Sequence, residues 1–339
     1  MKESSRLSPT QSRFRSTTAP VDRVPTAVDG LATFIECEGS LPVPGAGDTW
    51  HRFEVLAHWA ARDLSVGRLV EGHTDARAIL NEAGVPGSSR DTTYGVWAAR
   101  QGEGGTVATP VDGGWQLSGV KPFCSGSVFL DRALVTAQAP DGYRLFDISV
   151  SDTVVARDVE SWPAVGMADS LSETLTFGGP PLADDAAVGG PGFYTERAGF
   201  WFGAAGVAAC WYGGAAGLVE TLLSAPPSNA NDHFLAELGR ASSLVASMRE
   251  TLRWAANEVD ADPLDAQGGG HGRALVARQV VHDASLQVLA AVSSGGGARP
   301  LSQDRAQARR AADLFVYLAQ HHGNADAAEL GRIVLARPR

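Results

Sequence analysis

The chain has 339 residues, 44% hydrophobic and 19% charged, a globular composition too long for one small core. Its net charge of -10 and the lack of a basic stripe argue against a nucleic-acid partner. Cys37, Cys124 and Cys210 are too scattered for a zinc site or disulfide framework, so a reducing, cytoplasmic setting is expected. No apolar leader opens the sequence and no unbroken apolar run has membrane length, so no membrane partner is expected.

Residues 1–48 are rich in Ser, Thr, Pro and Gly without period and read as a flexible tail, with room for a short helix near "ATFIECEG". Residues 49–91 turn helical: Phe53, Leu56, Ala57, Ala60 and Ala61 recur at helical spacing. Asp63 can cap a second helix that runs to Ala83, with Gly84 ending it. Residues 92–190 carry short Val-, Thr- and Leu-rich runs between turns, the spacing of a small antiparallel barrel or sandwich. From residue 191 to 335 the pattern is helical again. A Gly- and Ala-crowded segment near 194–224 reads as a buried central helix, followed by helices over 232–260, 271–293 and 303–322. The predicted class is α+β: N-terminal helices, a middle antiparallel β-barrel, then a C-terminal four-helix bundle.

Within the β-region, "GGWQLSGVKPFCSGS" sets Gly114, Trp115, Leu117, Gly119, Lys121, Phe123 and Ser125 in a spacing that resembles the middle domain of the acyl-CoA dehydrogenase superfamily. "WPAVGMADSLSETLTF" and "GFWFGAAGVAACWYGGAAGL" follow in the family's order, and the likeness covers about residues 50 to 335. The resemblance implies a flavoprotein oxidoreductase, FAD as cofactor with FMN the alternative, and a homodimer or homotetramer. It places Phe123, Cys124 and Ser125 along the flavin ring, the Ser hydroxyl near the N5 edge. Trp97 stands where a flavin-lining run is expected, and Gly295 and Gly296 match a Gly-Gly turn near the pyrophosphate. Read without the family, the same stretch is a barrel hairpin with a buried Phe and a solvent-facing Lys.

The parent reaction, desaturation of an acyl thioester, needs a carboxylate base. The family places it eight residues after an Asp; counting from Asp313 lands on His321. Some members use the first bundle helix, where Glu220 lies, although a lone Glu at a helix end is more often solvated. This departure resembles a sister group, flavin-dependent monooxygenases of the dibenzothiophene-monooxygenase type, which use His and Ser around the ring. On that reading His73, Ser125 and His321 converge from three domains upon a small aromatic or heteroatom substrate. A degenerate homologue that binds acyl groups or a partner without turnover is the non-enzymatic alternative.

Overall fold

A computed structural model describes residues 26–87, 89–99, 105–224, 226 and 230–336. The order of helices, sheet and helices expected from the sequence is the order observed. Residues 1–25 of the expected tail lie outside the described part, but the remainder is not tail-like. Thr26 and Asp29 form a reciprocal capping box that starts α1 (Ala27–Cys37). Ala27, Leu31, Phe34 and Ile35 fall on one face of it and are buried. The Pro- and Ser-rich surroundings mask that periodicity in the sequence.

α2 (Thr49–Arg62) and α3 (Leu64–Glu82) meet at Asp63, whose carboxylate accepts the Val66 N–H at 3.0 Å, as the capping reading expected. Gly84, at φ 67°, ends the segment.

Among the described residues the middle region is one nine-stranded sheet. β1 (Tyr94–Trp97) runs parallel to β4 (Arg132–Ala139), and β2 (Val107–Val111) also meets β4 in parallel. The sheet is therefore mixed, not wholly antiparallel as expected. β3 (Gly114–Cys124) joins its two halves: residues 114–118 pair with β2, while 119–124 pair with β7 (Glu173–Phe177). The bend between them sits at Gly119, at φ 93°, where a Cβ would stand 2.3 Å from the Gly105 carbonyl oxygen. β5 (Gly142–Ser149), β6 (Val154–Asp158) and the two-residue β8 (Leu182–Ala183) and β9 (Ala187–Val188) complete the sheet; one-turn α4 (Val150–Thr153) links β5 to β6.

After one-turn α5 (Phe193–Glu196), α6 (Gly199–Ser224) runs through the centre. Its small residues allow backbone approach: a Cβ on Gly213 would lie 2.2 Å from the Ala57 carbonyl oxygen of α2. α6 has the length and apolar content of a membrane span, but 72% of that window is buried inside this fold. α7 (Asp232–Ala261) and α8 (Gly270–Gly296) pack on it, with one-turn α9 (Arg299–Ser302) and α10 (Arg305–Leu318) behind. α2 also lies against α6 and α7, so the C-terminal helices do not close a bundle by themselves. The expected last helix, 303–322, ends early at Leu318 of α10; Gly323 turns at φ 53°, and α11 (Asn324–Ala336), not assigned from the sequence, follows.

Candidate functional site

The end of β3 is strained. Phe123 has φ 59°, and the β3–β7 register slips between Lys121 and Cys124. Met167 and Leu171, in the loop before β7, have φ 58° and 43°. Left-handed backbone at such residues costs about 1 kcal/mol or more each. Three of the four non-Gly examples among the described residues thus border one place, and the surroundings hold them there. The Asp313 carboxylate on α10 accepts the Met167 N–H at 2.5 Å. Arg309 reaches Asp169 at 2.8 Å and Asp63 at 3.0 Å. Gly126 N–H donates to the Ser170 carbonyl at 2.8 Å.

Phe123 is pushed outward, 61% exposed, with its ring edge-on to Trp162. Behind it Ser125 is buried, and its carbonyl accepts the Trp97 indole N–H at 3.0 Å. Trp97 is therefore a support for Ser125, not an open wall. Three hydroxyls form a chain: Ser125 to Ser172 at 2.8 Å, Ser172 to Ser170 at 2.9 Å, and Ser170 to the Met167 carbonyl at 2.7 Å. The carbonyl only accepts, so Ser170 donates to it. Ser170 then accepts from Ser172, and Ser172 from Ser125. That ordering uses Ser125's only proton and leaves its oxygen as an acceptor.

Cys124 is buried in the sheet, its thiol bonded to the Lys121 carbonyl at 3.4 Å. Burial pushes that thiol up to about 12, so it is an inert core group. Lys121 is not solvent-facing either. It is 2% exposed, with Nζ donating to the Ala99 carbonyl and the Thr136 hydroxyl, and burial lowers it to about 8.

His73 does not join Ser125. Its neighbour Gly72 lines the half-open cavity beside Ser125, with Arg68, Leu69, Val96 and Leu130. Adjacent helical residues point about 100° apart, and His73 lies under α1, edge-on to Phe34. It is 0% exposed, Nδ1 accepts the Tyr94 N–H at 3.2 Å, and Nε2 is buried without a partner. Burial lowers it to about 4, so it is neutral.

His321 sits past the end of α10 among α8 and α11 side chains. Nε2 is 3.1 Å from the Gln279 side-chain Oε1, Nδ1 is 3.2 Å from Asp326, and the His282 ring is 4.5 Å away. Burial, then His282 and Arg278, lowers its pKa. None of these partners is shared with Ser125. Glu220 is exposed. Glu220→Gln is expected to change flavin affinity and turnover less than about twofold in a steady-state assay, as for a solvated surface carboxylate. Gly295 and Gly296 pack against Glu237 and Pro300, where a Cβ would come within 2.8 and 2.6 Å. Their smallness serves the contact of the α8 end with α7 and α9.

The sequence reading missed the charged face of α3. Arg68, Glu71 and Asp75 follow at spacings of three and four, one helix face. Arg68 is ion-paired to Glu71, and burial raises the Glu71 pKa. Asp75 lies 3.9 Å from Arg197, while Arg52 donates to Thr74 at 3.2 Å. Trp211 Nε1, on α6, is buried with no hydrogen-bond partner among the described residues, while the Tyr317 hydroxyl on α10 is paired with the Cys210 thiol. The i, i+3, i+7 spacing of charges on α3 was the available signal.

No family model matches the chain, and no curated protein matches it. Solved structures do match its fold. The dibenzothiophene monooxygenase TdsC from Paenibacillus sp. A11-2 is 21% identical, with a TM-score of 0.73 over 91% of this chain and 88% of that one. TdsC is also known in complex with FMN and indole. The FAD complex of PigA is 13% identical, with a TM-score of 0.75 over 93% of this chain and 91% of that one. KijD3, in complex with FMN and a dTDP-linked amino keto sugar, is 17% identical, with a TM-score of 0.74 over 95% and 96%. The chain has their acyl-CoA dehydrogenase-like fold.

Proposed function

We propose that this chain is a flavin-dependent oxidoreductase, and that its reaction is oxygenation of a small substrate and not desaturation of an acyl thioester. The carrying observation is the ordered chain Ser125–Ser172–Ser170–Met167, which presents an acceptor oxygen at the strained end of β3. The residues fit a flavin: outward Phe123 offers a ring face, and the Ser125 oxygen would accept the N5–H that only the reduced flavin carries. When bound, a reduced flavin supplies two electrons for oxygen activation or, oxidised, accepts a hydride.

This chain's own residues favour the first use. Glu220 is exposed, and the position eight residues after Asp313 holds His321. Glu71, buried on α3, is tied to Arg68 as an ion pair. The similar folds of TdsC and KijD3, solved with FMN and small molecules, support a small substrate.

A single turnover decides between the two reactions. Protein with photoreduced FMN or FAD is mixed with labelled oxygen and indole, and in parallel oxidised complex is mixed anaerobically with octanoyl-CoA. The proposal expects label in the indole product and no bleaching by the thioester; bleaching with enoyl-CoA formation overturns it. Ser125→Ala is expected to weaken binding of the reduced flavin about tenfold, the cost of one buried hydrogen bond, and to affect the oxidised form less. Absorbance titration of both redox states measures this.

A further inference from the structure

We propose that the cavity between α2, α6 and α7 is a second binding site, and that it takes an uncharged, planar aromatic molecule of two fused rings. It shares no residue with the cavity beside Ser125. The hollow follows from how the helices cross. α2 and α6 touch at Ala57 and Gly213, where a Cβ on the glycine would lie 2.2 Å from the Ala57 carbonyl oxygen. Ala61 and Ala216 continue that line of small residues, so the floor is low, and α7 contributes Arg249 to the rim. The space left measures about 240 Å³. An apolar cavity of about 150 Å³ takes benzene, so this one has room for a second ring.

The walls select the ring and its charge. Trp50, His58 and Tyr212 stand around the floor, and aromatic walls favour a flat ring in offset or edge-on contact. Trp50 is held by two guanidinium groups, Arg253 at 4.8 Å and Arg249 at 5.5 Å from its ring centre. The rim has no surplus charge, because Arg249 is matched by Glu54 at 3.4 Å and Glu250 at 3.6 Å. An anionic head would compete with those carboxylates, and an uncharged ligand does not. Tyr212 supplies the polar handle. It is half-buried, and its hydroxyl has no hydrogen-bond partner among the described residues. Such a phenol can donate to a carbonyl oxygen or ring nitrogen of the ligand.

Coumarin is the probe: two fused flat rings, no charge and one carbonyl acceptor. Calorimetric titration of the full chain is expected to give a dissociation constant below about 1 mM. Octahydrocoumarin keeps the acceptor but not the flat rings, and is expected to bind at least about threefold more weakly. Coumarin-3-carboxylate adds a charge and is expected to bind no more tightly than coumarin. Ala216→Phe fills the floor and is expected to abolish coumarin binding. Tyr212→Phe keeps the wall, removes the hydroxyl, and is expected to weaken coumarin about fivefold, the cost of one hydrogen bond. If Ala216→Phe does not fold, Tyr212→Phe decides. No binding, equal binding of the saturated probe, tighter binding of the carboxylate, or an unchanged affinity in the variant that folds overturns the inference; the last result puts coumarin elsewhere on the protein. Sedimentation of the free chain tests the other occupant. A dimer that Ala216→Phe separates would make the cavity a contact between copies and would also overturn the inference.

Discussion

Between pH 6.5 and 4 the protein is expected to lose about 3 kcal/mol of stability through His73 alone. The unfolded imidazole titrates near 6.5, the folded one at about 4, because burial disfavours its charge. Between those values the unfolded chain binds more protons, so stability falls as pH falls. Above pH 6.5 the group is neutral in both states and the contribution is fully present; below 4 it is gone. The ring is 0% exposed and its Nε2 has no partner, so no contact in the fold rescues the charged form. Urea unfolding across this range, for wild type and His73→Asn, isolates the effect. The variant starts less stable at pH 7, and the gap should close by about 3 kcal/mol by pH 4. A constant gap would show that His73 is not buried as a neutral ring, and would reopen a place for it beside Ser125.

Asp313→Ala is expected to cost about 3 kcal/mol and to loosen the loop that supports the serine chain. The carboxylate is 2% exposed and accepts the Met167 N–H at 2.5 Å, while Met167 itself is 3% exposed. Removing it strands a buried donor and one partner of Arg309. Met167 is in left-handed backbone and its carbonyl ends the serine chain, so its release should disorder Ser170 and Ser172 and weaken flavin binding along with stability. Asp313→Asn keeps an acceptor and should recover most of the stability. Urea unfolding with flavin titration checks both. A cost under about 1 kcal/mol in the alanine variant would mean that the loop stands without α10.

Much of this was legible in sequence where one local rule governs. The Asp63 cap, the crowded small residues of α6 and the short strand run of β3 are such cases, and each appears where its chemistry puts it. The Phe123–Ser125 segment was singled out by its resemblance to a family motif; the residues alone read as a plain hairpin, and the outward turn of Phe123 was not legible. What depends on partners distant in sequence was not. β1 is short and buried through parallel pairing, so Trp97 read as part of a flavin-lining wall although its indole holds Ser125. His73 and Gly72 are neighbours, and no periodicity tells which of them faces a cavity and which faces α1. Arg68, Glu71 and Asp75 drew no reading from the sequence, since charges are seldom buried and such a face is ordinarily solvated. Only the packing of α3 shows that they are interior.

The most direct test of the account is an anaerobic titration of the protein with FMN and FAD, each oxidised and each dithionite-reduced, followed by absorbance and fluorescence. The ordered hydroxyl chain offers an acceptor at Ser125, so reduced flavin should bind at least about tenfold more tightly than oxidised flavin. Failure of both flavins to bind in either state, or tighter binding of the oxidised form, would contradict the account.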